Sequence, residues 1–147
     1  MARRAVGILE KMKAYQCPPE TPHFTEVIWA CEKSQQYEQA VSVFESMKKA
    51  NIPRETETYV ALISCAEKAG EWEQAIHYLV EMKAEGIERV TSVYNSAMWA
   101  ADKGGHWELA ISLLDEMEKD NVARDEITYS AVSILTISFM LEYLNSC

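Results

Sequence analysis

The chain repeats itself every 35 residues without a gap. Tyr59, Tyr94 and Tyr129 fall in register, with Phe24 in the same place one unit earlier. Met12, Met47, Met82 and Met117 share a second register position, and Ala5, Ala40, Ala75 and Ala110 a third. Lys33, Lys68 and Lys103 recur, as do Tyr37, Trp72 and Trp107. A fixed period of this length constrains the fold more than any composition figure. Each unit is one supersecondary element that cannot bury its apolar face alone, so neighbours must stack.

Within the unit the apolar period is that of a helix. In residues 21–55, Phe24, Val27, Ile28 and Cys31 form one stripe, and Tyr37, Ala40, Val41, Phe44 and Met47 a second. Residues 56–90 repeat this with Tyr59, Leu62, Ile63 and Ala66, then Trp72, Ala75, Ile76, Leu79 and Met82. Residues 91–125 do so with Tyr94, Ala97, Met98 and Ala101, then Trp107, Ala110, Ile111, Leu114 and Met117. Breakers stand between stripes: Ser34-Gln35-Gln36, Gly70 and Gly104-Gly105 inside units, and Asn51, Gly86 and Asn121 near their ends. Thr56 is expected to cap its helix. Residues 1–20 match the second half of a unit. Residues 126–147 open a fourth, then leave the pattern at Ser133-Ile134-Leu135-Thr136-Ile137, which is apolar on nearly all sides. That segment is either a terminal helix covering the last unit or sequence foreign to the array. The fold class is an all-α solenoid of helix–turn–helix units.

Composition narrows the chemistry. With 5 Gly and 4 Pro in 147 residues, the chain favours helices joined by short turns. No C-x-x-C pair occurs among Cys17, Cys31, Cys65 and Cys147, and no zinc spacing, so no metal site is expected. Cys31 and Cys65 fall near the stripes and read as buried free thiols. His23, His77 and His106 lie in different units; His77 and Glu81 form a solvent-facing helical pair. No uninterrupted apolar run reaches a membrane span, so no transmembrane segment or membrane partner is expected. The chain begins inside a unit, so a targeting segment would lie outside this sequence.

The period, the opening Tyr, the Glu67-Lys68-Ala69-Gly70 … Trp72-Glu73-Gln74-Ala75 centre and the Glu81-Met82-Lys83-Ala84-Glu85-Gly86-Ile87 close together resemble pentatricopeptide repeats, from residue 2 to about 132. The resemblance implies a right-handed α-α superhelix that binds single-stranded RNA, one base per repeat, along the face lined by first helices. It implies base reading by the residue after the opening Tyr and the last residue of the repeat. These pairs are Thr25 with Glu55, Val60 with Val90, and Asn95 with Asp125; Ser130 begins a fourth. Asn95 with Asp125 resembles the uracil-preferring pair, and Thr25 with Glu55 a purine-preferring one. The valines cannot hydrogen-bond a base. The positions two before each Tyr, which clamp bases in the family, hold Pro22, Glu57, Ser92 and Ile127. The resemblance further suggests a mitochondrial or chloroplast setting and RNA processing, stability or translation.

A net charge of −9 opposes nucleic-acid binding when taken alone. Its distribution matters more. The acids of second helices (Glu38, Glu45, Glu73, Glu81, Glu108, Asp115, Glu116 and Glu118) belong to the outer face in the family arrangement. Lys33, Lys68 and Lys103 end first helices and are the candidate phosphate contacts, or else cations offsetting helix dipoles. No catalytic constellation, cofactor motif or small-molecule site is visible, so a non-enzymatic binding protein is expected. The alternative is a protein-interaction scaffold of the same fold that reads no base.

Overall fold

The structure is a computed structural model that describes residues 2–147. Its helices, in order, are α1 (Ala2–Ala14), α2 (Thr21–Lys33), α3 (Tyr37–Lys49), α4 (Thr56–Ala69), α5 (Trp72–Ala84), α6 (Thr91–Lys103), α7 (Trp107–Lys119) and α8 (Glu126–Ser146). Among the described residues there is no strand. First helices start at Thr21, Thr56 and Thr91 and second helices at Tyr37, Trp72 and Trp107.

First helices stack directly, α2 on α4, α4 on α6 and α6 on α8. Each second helix packs against its own first helix and the next one. First helices therefore make the close inner layer and second helices the spread outer layer of a right-handed α-α superhelix. One continuous core runs through the stack from Leu9 to Leu135. Every predicted stripe residue of α2, α4 and α6 is buried.

The second helices differ from expectation by one register position. Ile111 is 40% exposed and Val41 and Ile76 are only partly buried, whereas Val43, Tyr78 and Leu113 are in the core. Val41, Ile76 and Ile111 fit helical spacing from Tyr37, Trp72 and Trp107, and Val43, Tyr78 and Leu113 fit it from Ala40, Ala75 and Ala110. What decides is the side on which the next first helix packs. Tyr78 meets the Phe44 ring edge-on, 5.6 Å between centroids. The recurrent alanines have no exposed surface. Ala75→Leu is therefore expected to overpack the α4–α5 contact and destabilise by about 1–3 kcal/mol. An unchanged thermal midpoint would contradict the stacking.

Thr56 is not the cap of α4. Glu55 occupies that position, with Glu20, Val90 and Asp125 equivalent on α2, α6 and α8. Thr56 already has its backbone in the helix, and its hydroxyl donates to the carbonyl of Glu88, at 3.2 Å. Thr21 reaches Pro53 O at 2.7 Å and Thr91 reaches Ala123 O at 2.6 Å in the same way. These threonines tie the start of each first helix to the exit loop of its own repeat. Helix α4 ends on Gly70 in the left-handed region, at φ 77°. Asn121, at φ 55°, takes the left-handed place that Gly86 holds one repeat earlier.

Helix α8 settles against α6 and α7 through Thr128, Ala131 and Leu135. Beyond Leu135 most of its apolar side chains stand in solvent, among them Ile137, Met140, Leu141, Tyr143 and Leu144, while Phe139 meets the Trp107 ring edge-on at 4.8 Å between centroids. It covers the last repeat only in part. It also corrects the membrane expectation: by length and composition this one helix is apolar enough to cross a bilayer, with 17% of its apolar window buried. Serines and threonines broke the apolar run without adding charge, and only Glu126 and Glu142 are charged.

Cys31 and Cys65 are buried free thiols, as expected, while Cys17 and Cys147 are exposed. Burial pushes the Cys65 thiol up to about 11, so it stays protonated and unreactive at neutral pH.

Candidate functional site

The two candidate base-reading positions of a repeat belong to successive first helices. Thr25, Val60 and Asn95 sit in the first helices; Glu55, Val90 and Asp125 are the N-caps of the next ones. Stacking of first helices is what brings each pair to one edge of the inner layer.

Asn95 and Asp125 meet. The Asn95 amide Nδ2 donates to Asp125 Oδ1 at 2.9 Å. The Thr128 hydroxyl donates to Asn95 Oδ1 at 2.7 Å, and the Thr128 backbone N–H donates to Asp125 Oδ1 at 2.9 Å. Asn95 is 5% exposed and Thr128 is fully buried, while Asp125 is exposed. The Thr128 backbone N–H and then the Asn95 amide hold the Asp125 carboxyl below the usual range, so it is anionic at neutral pH. Among the described residues, no partner takes the second Asn95 N–H or Asp125 Oδ2. A donor and an acceptor are thus left side by side.

Thr25 and Glu55 do not share a bond. The Thr25 hydroxyl donates to Thr21 O at 3.0 Å and lies 3.0 Å from Thr58 Oγ1. Glu55 is an exposed cap whose backbone N–H donates to Thr58 Oγ1 at 3.4 Å. Val60 and Val90 pack against the core and offer no polar atom. Ser130 is exposed and donates back to Glu126 O at 3.0 Å. Pro22, Glu57, Ser92 and Ile127 are all exposed.

The three lysines differ in environment. Lys68 pairs with Glu32 of the preceding first helix, and Lys103 with Glu67. Glu32 is 7% exposed, so its carboxylate depends on that lysine, and the glutamate in turn raises the Lys68 pKa. No ion pair involves Lys33 among the described residues. A ladder of charge pairs one repeat apart thus occupies two of the three candidate cations, although both lysine side chains keep about half their surface.

A second polar array lies between layers. Tyr59 Oη donates to Glu81 Oε1 at 2.9 Å or Glu85 Oε2 at 3.0 Å, and Arg54 pairs with Glu85 at 2.6 Å. One repeat on, Tyr94 Oη donates to Asp120 at 2.5 Å, and Arg89 pairs with Asp120 and with Glu116 at 3.1 Å. In the first repeat the equivalent residues are Phe24, Ala50 and Pro19, so the array is lost as a unit. Glu81 and Glu116 therefore turn inward rather than coat the outer face. Glu81 is 3.5 Å from His77 but also 2.7 Å from Lys48, so the expected solvent-facing His77–Glu81 pair is one edge of this array. Sequence reading missed Thr58 and Thr128. The signal was available: each stands 33 residues after a polar reading residue, and Val93 stands 33 after Val60. Among the described residues, no group of three or more potential ligands could hold a metal ion.

A family model described as the pentacotripeptide-repeat region of PRORP matches residues 1–133, and the chain belongs to this family. The PPR domain of Arabidopsis thaliana protein-only RNase P 1, solved in complex with tRNA, superposes with a TM-score of 0.85 at 15% identity; the match covers 96% of this chain and 75% of that one. The maize pentatricopeptide repeat protein PPR10 matches with a TM-score of 0.75 at 17% identity, over 99% of this chain and 22% of that one. PPR10 in complex with an 18-nt psaJ RNA element matches at 0.76 and 18%, over 95% and 21%. At these identities the likeness shows the fold. Comparison of the sequence with curated proteins gives no match. The family match ends where the repeat pattern breaks, near Ser133.

Proposed function

We propose that this chain binds single-stranded RNA along the inner layer of first helices and reads a uracil with Asn95 and Asp125. The observation that carries the reading is the Asn95–Asp125 hydrogen bond at 2.9 Å. It leaves one amide N–H and one carboxylate oxygen unpaired, a donor beside an acceptor. The Watson–Crick edge of uracil offers a carbonyl beside an N–H and complements that order; cytosine offers an amine beside a bare nitrogen, the reverse order, and fits only if the base turns over. Family membership and the RNA complexes of two structural relatives support the same reading. Thr25 with Glu55 contributes a weaker purine preference, and Val60 with Val90 reads nothing. Ser130 opens a fourth pair. Pro22, Glu57, Ser92 and Ile127 flank the bases.

Affinity is modest. Lys33 is the freest candidate for a phosphate, and Lys68 and Lys103 must share their charge with Glu32 and Glu67. The chain acts by occupancy on organelle transcripts, in a mitochondrion or chloroplast, shielding RNA or presenting it to other factors. It uses no cofactor and catalyses no reaction in this reading.

The test is selection from a randomised single-stranded RNA pool at low and moderate salt. Uracil enrichment at one position is expected, and Asn95→Ala should reduce the preference there by about three- to tenfold, the worth of one hydrogen bond. Binding should weaken with salt at a logarithmic slope of about −0.7 per phosphate neutralised. Absence of binding at low salt sinks the proposal and favours the second reading, a protein-interaction scaffold. The observation behind that reading is the largely exposed apolar surface of α8 after Leu135.

A further inference from the structure

We propose that Thr128 and Thr58, buried in the first turns of α8 and α4, are positioning residues that set whether the preceding reading residue donates or accepts. The inference rests on the base-reading proposal and deepens it. Each threonine hydroxyl has one proton. In both repeats its oxygen already accepts from a backbone N–H, that of Asp125 at 3.2 Å and that of Glu55 at 3.4 Å. For Thr128 the proton has two acceptors in reach, Asn95 Oδ1 at 2.7 Å and Asp125 Oδ1 at 2.9 Å; the latter already accepts two N–H groups, so the shorter contact to the reading residue takes it.

At Asn95 the consequence is a fixed amide. A side-chain amide can present nitrogen or oxygen outward by a half-turn about its last bond. Asp125 requires nitrogen on its side, and the Thr128 proton requires oxygen on the other, at 2.7 Å. Either restraint alone leaves the flipped amide accessible when water or a base competes. Both together leave the second N–H as the group offered outward.

At Thr25 the same device gives the opposite polarity. The Thr25 proton goes to Thr21 O at 3.0 Å, so of the two hydroxyls 3.0 Å apart it is Thr58 that donates. Thr25 is then left with an unshared oxygen lone pair and no donor. It can only accept from a base, which suits the amino and imino groups of guanine or the amine of adenine. Where the reading residue is Val60, the residue in the threonine place is Val93, itself buried. The two positions are polar together in two repeats and apolar together in the third. A threonine kept only to cap its helix would have no reason to track the reading residue.

The experiment pairs Thr128→Val with Thr128→Ser in the full chain. The first readout is the uracil-to-cytosine ratio in binding to single-stranded RNAs differing at the one selected position. Thr128→Val should lower that ratio by about threefold or more while binding to the remaining sequence persists. Thr128→Ser, which keeps the hydroxyl, should restore it. A ratio unchanged in Thr128→Val overturns the inference and leaves RNA binding standing. The second readout needs no RNA. The Asn95 side-chain amide protons, followed by NMR, should exchange faster in Thr128→Val than in wild type or Thr128→Ser. Should no RNA bind, the base-reading proposal falls by itself, and equal exchange in all three proteins overturns the positioning role.

Discussion

Arg89→Ala is expected to destabilise the protein by about 2–3 kcal/mol, read as a lower urea midpoint with an unchanged slope. The Arg89 side chain is 3% exposed, the most enclosed charge in an ion pair of this molecule's described residues. Its guanidinium reaches Asp120 and Glu116 and lies 5.0 Å from the centre of the Tyr94 ring. Truncation leaves Glu116 without a counter-charge, leaves Asp120 with only the exposed Lys83 at 3.4 Å, and opens a gap where the stem had packed. Water reaches Asp120 and Glu116, at 24% and 41% exposure, which keeps the loss below that of a fully buried pair. Arg54→Ala, at 19% exposure with Glu85 as its partner, should cost only about 1 kcal/mol. Equal losses would mean that enclosure of the guanidinium is irrelevant.

The same cluster gives the sign of the acid response. The Tyr94 hydroxyl foremost, with Arg89 and Lys83 adding to it, holds the Asp120 carboxyl below its ordinary range against the opposing effect of burial. Burial alone would raise Glu85, but Arg54 and Tyr59 outweigh it and its net shift is also downward. A depressed folded-state pKa stabilises the fold above the unfolded value, near 4, and that contribution is lost as pH falls through the folded value. Stability should therefore drop on acidification below about pH 4. The drop should be shallower in Arg89→Ala, because one of the groups holding Asp120 down is gone.

The architecture was legible because it is written three times. A stripe such as Tyr59, Leu62, Ile63 and Ala66 could be chance once, but not in register with Phe24, Val27, Ile28 and Cys31 and again with Tyr94, Ala97, Met98 and Ala101. Features inside one helix or one turn followed from residue chemistry, including the left-handed Gly70 and Asn121. Features that depend on the next repeat did not. The choice between Val41 and Val43, or Ile76 and Tyr78, belongs to the helix that packs on them. The partners of Lys68 and Lys103 stand on the preceding first helix, so the lysines looked free when read alone. Capping went astray at Thr56 because the last residue of a repeat serves two purposes at once. Glu55 and Asp125 end one unit, where the proposed function needs them, and begin the next helix as its cap. The Asn95–Asp125 contact is the reverse case: the pairing was expected through the family resemblance, and in the folded chain the two side chains are hydrogen-bonded.

Tyr59→Ala should cost about 3–5 kcal/mol, whereas Tyr59→Phe should cost about 1 kcal/mol. Tyr59 has no exposed surface, and its ring meets Phe44 edge-on with centroids 5.3 Å apart. Alanine removes that contact and opens a cavity between α3 and α4 that a stack of rigid helices closes poorly. Phenylalanine keeps the ring and loses only the hydroxyl. That hydroxyl has one proton to share between Glu81 and Glu85, and burial, followed by the bond to Glu81, keeps it protonated. Both acids retain a cation when it goes, Glu81 its Lys48 and Glu85 its Arg54. The loss is one hydrogen bond, with no charge stranded. The chain has already made this exchange once, in the first repeat, where Phe24 is buried and Ala50 and Pro19 stand at the register positions of Glu85 and Arg54. Thermal unfolding of the two variants separates packing from polar contribution. A Phe variant as unstable as the Ala variant would locate the stability in the acid network, and Arg54→Ala would then have to be equally damaging.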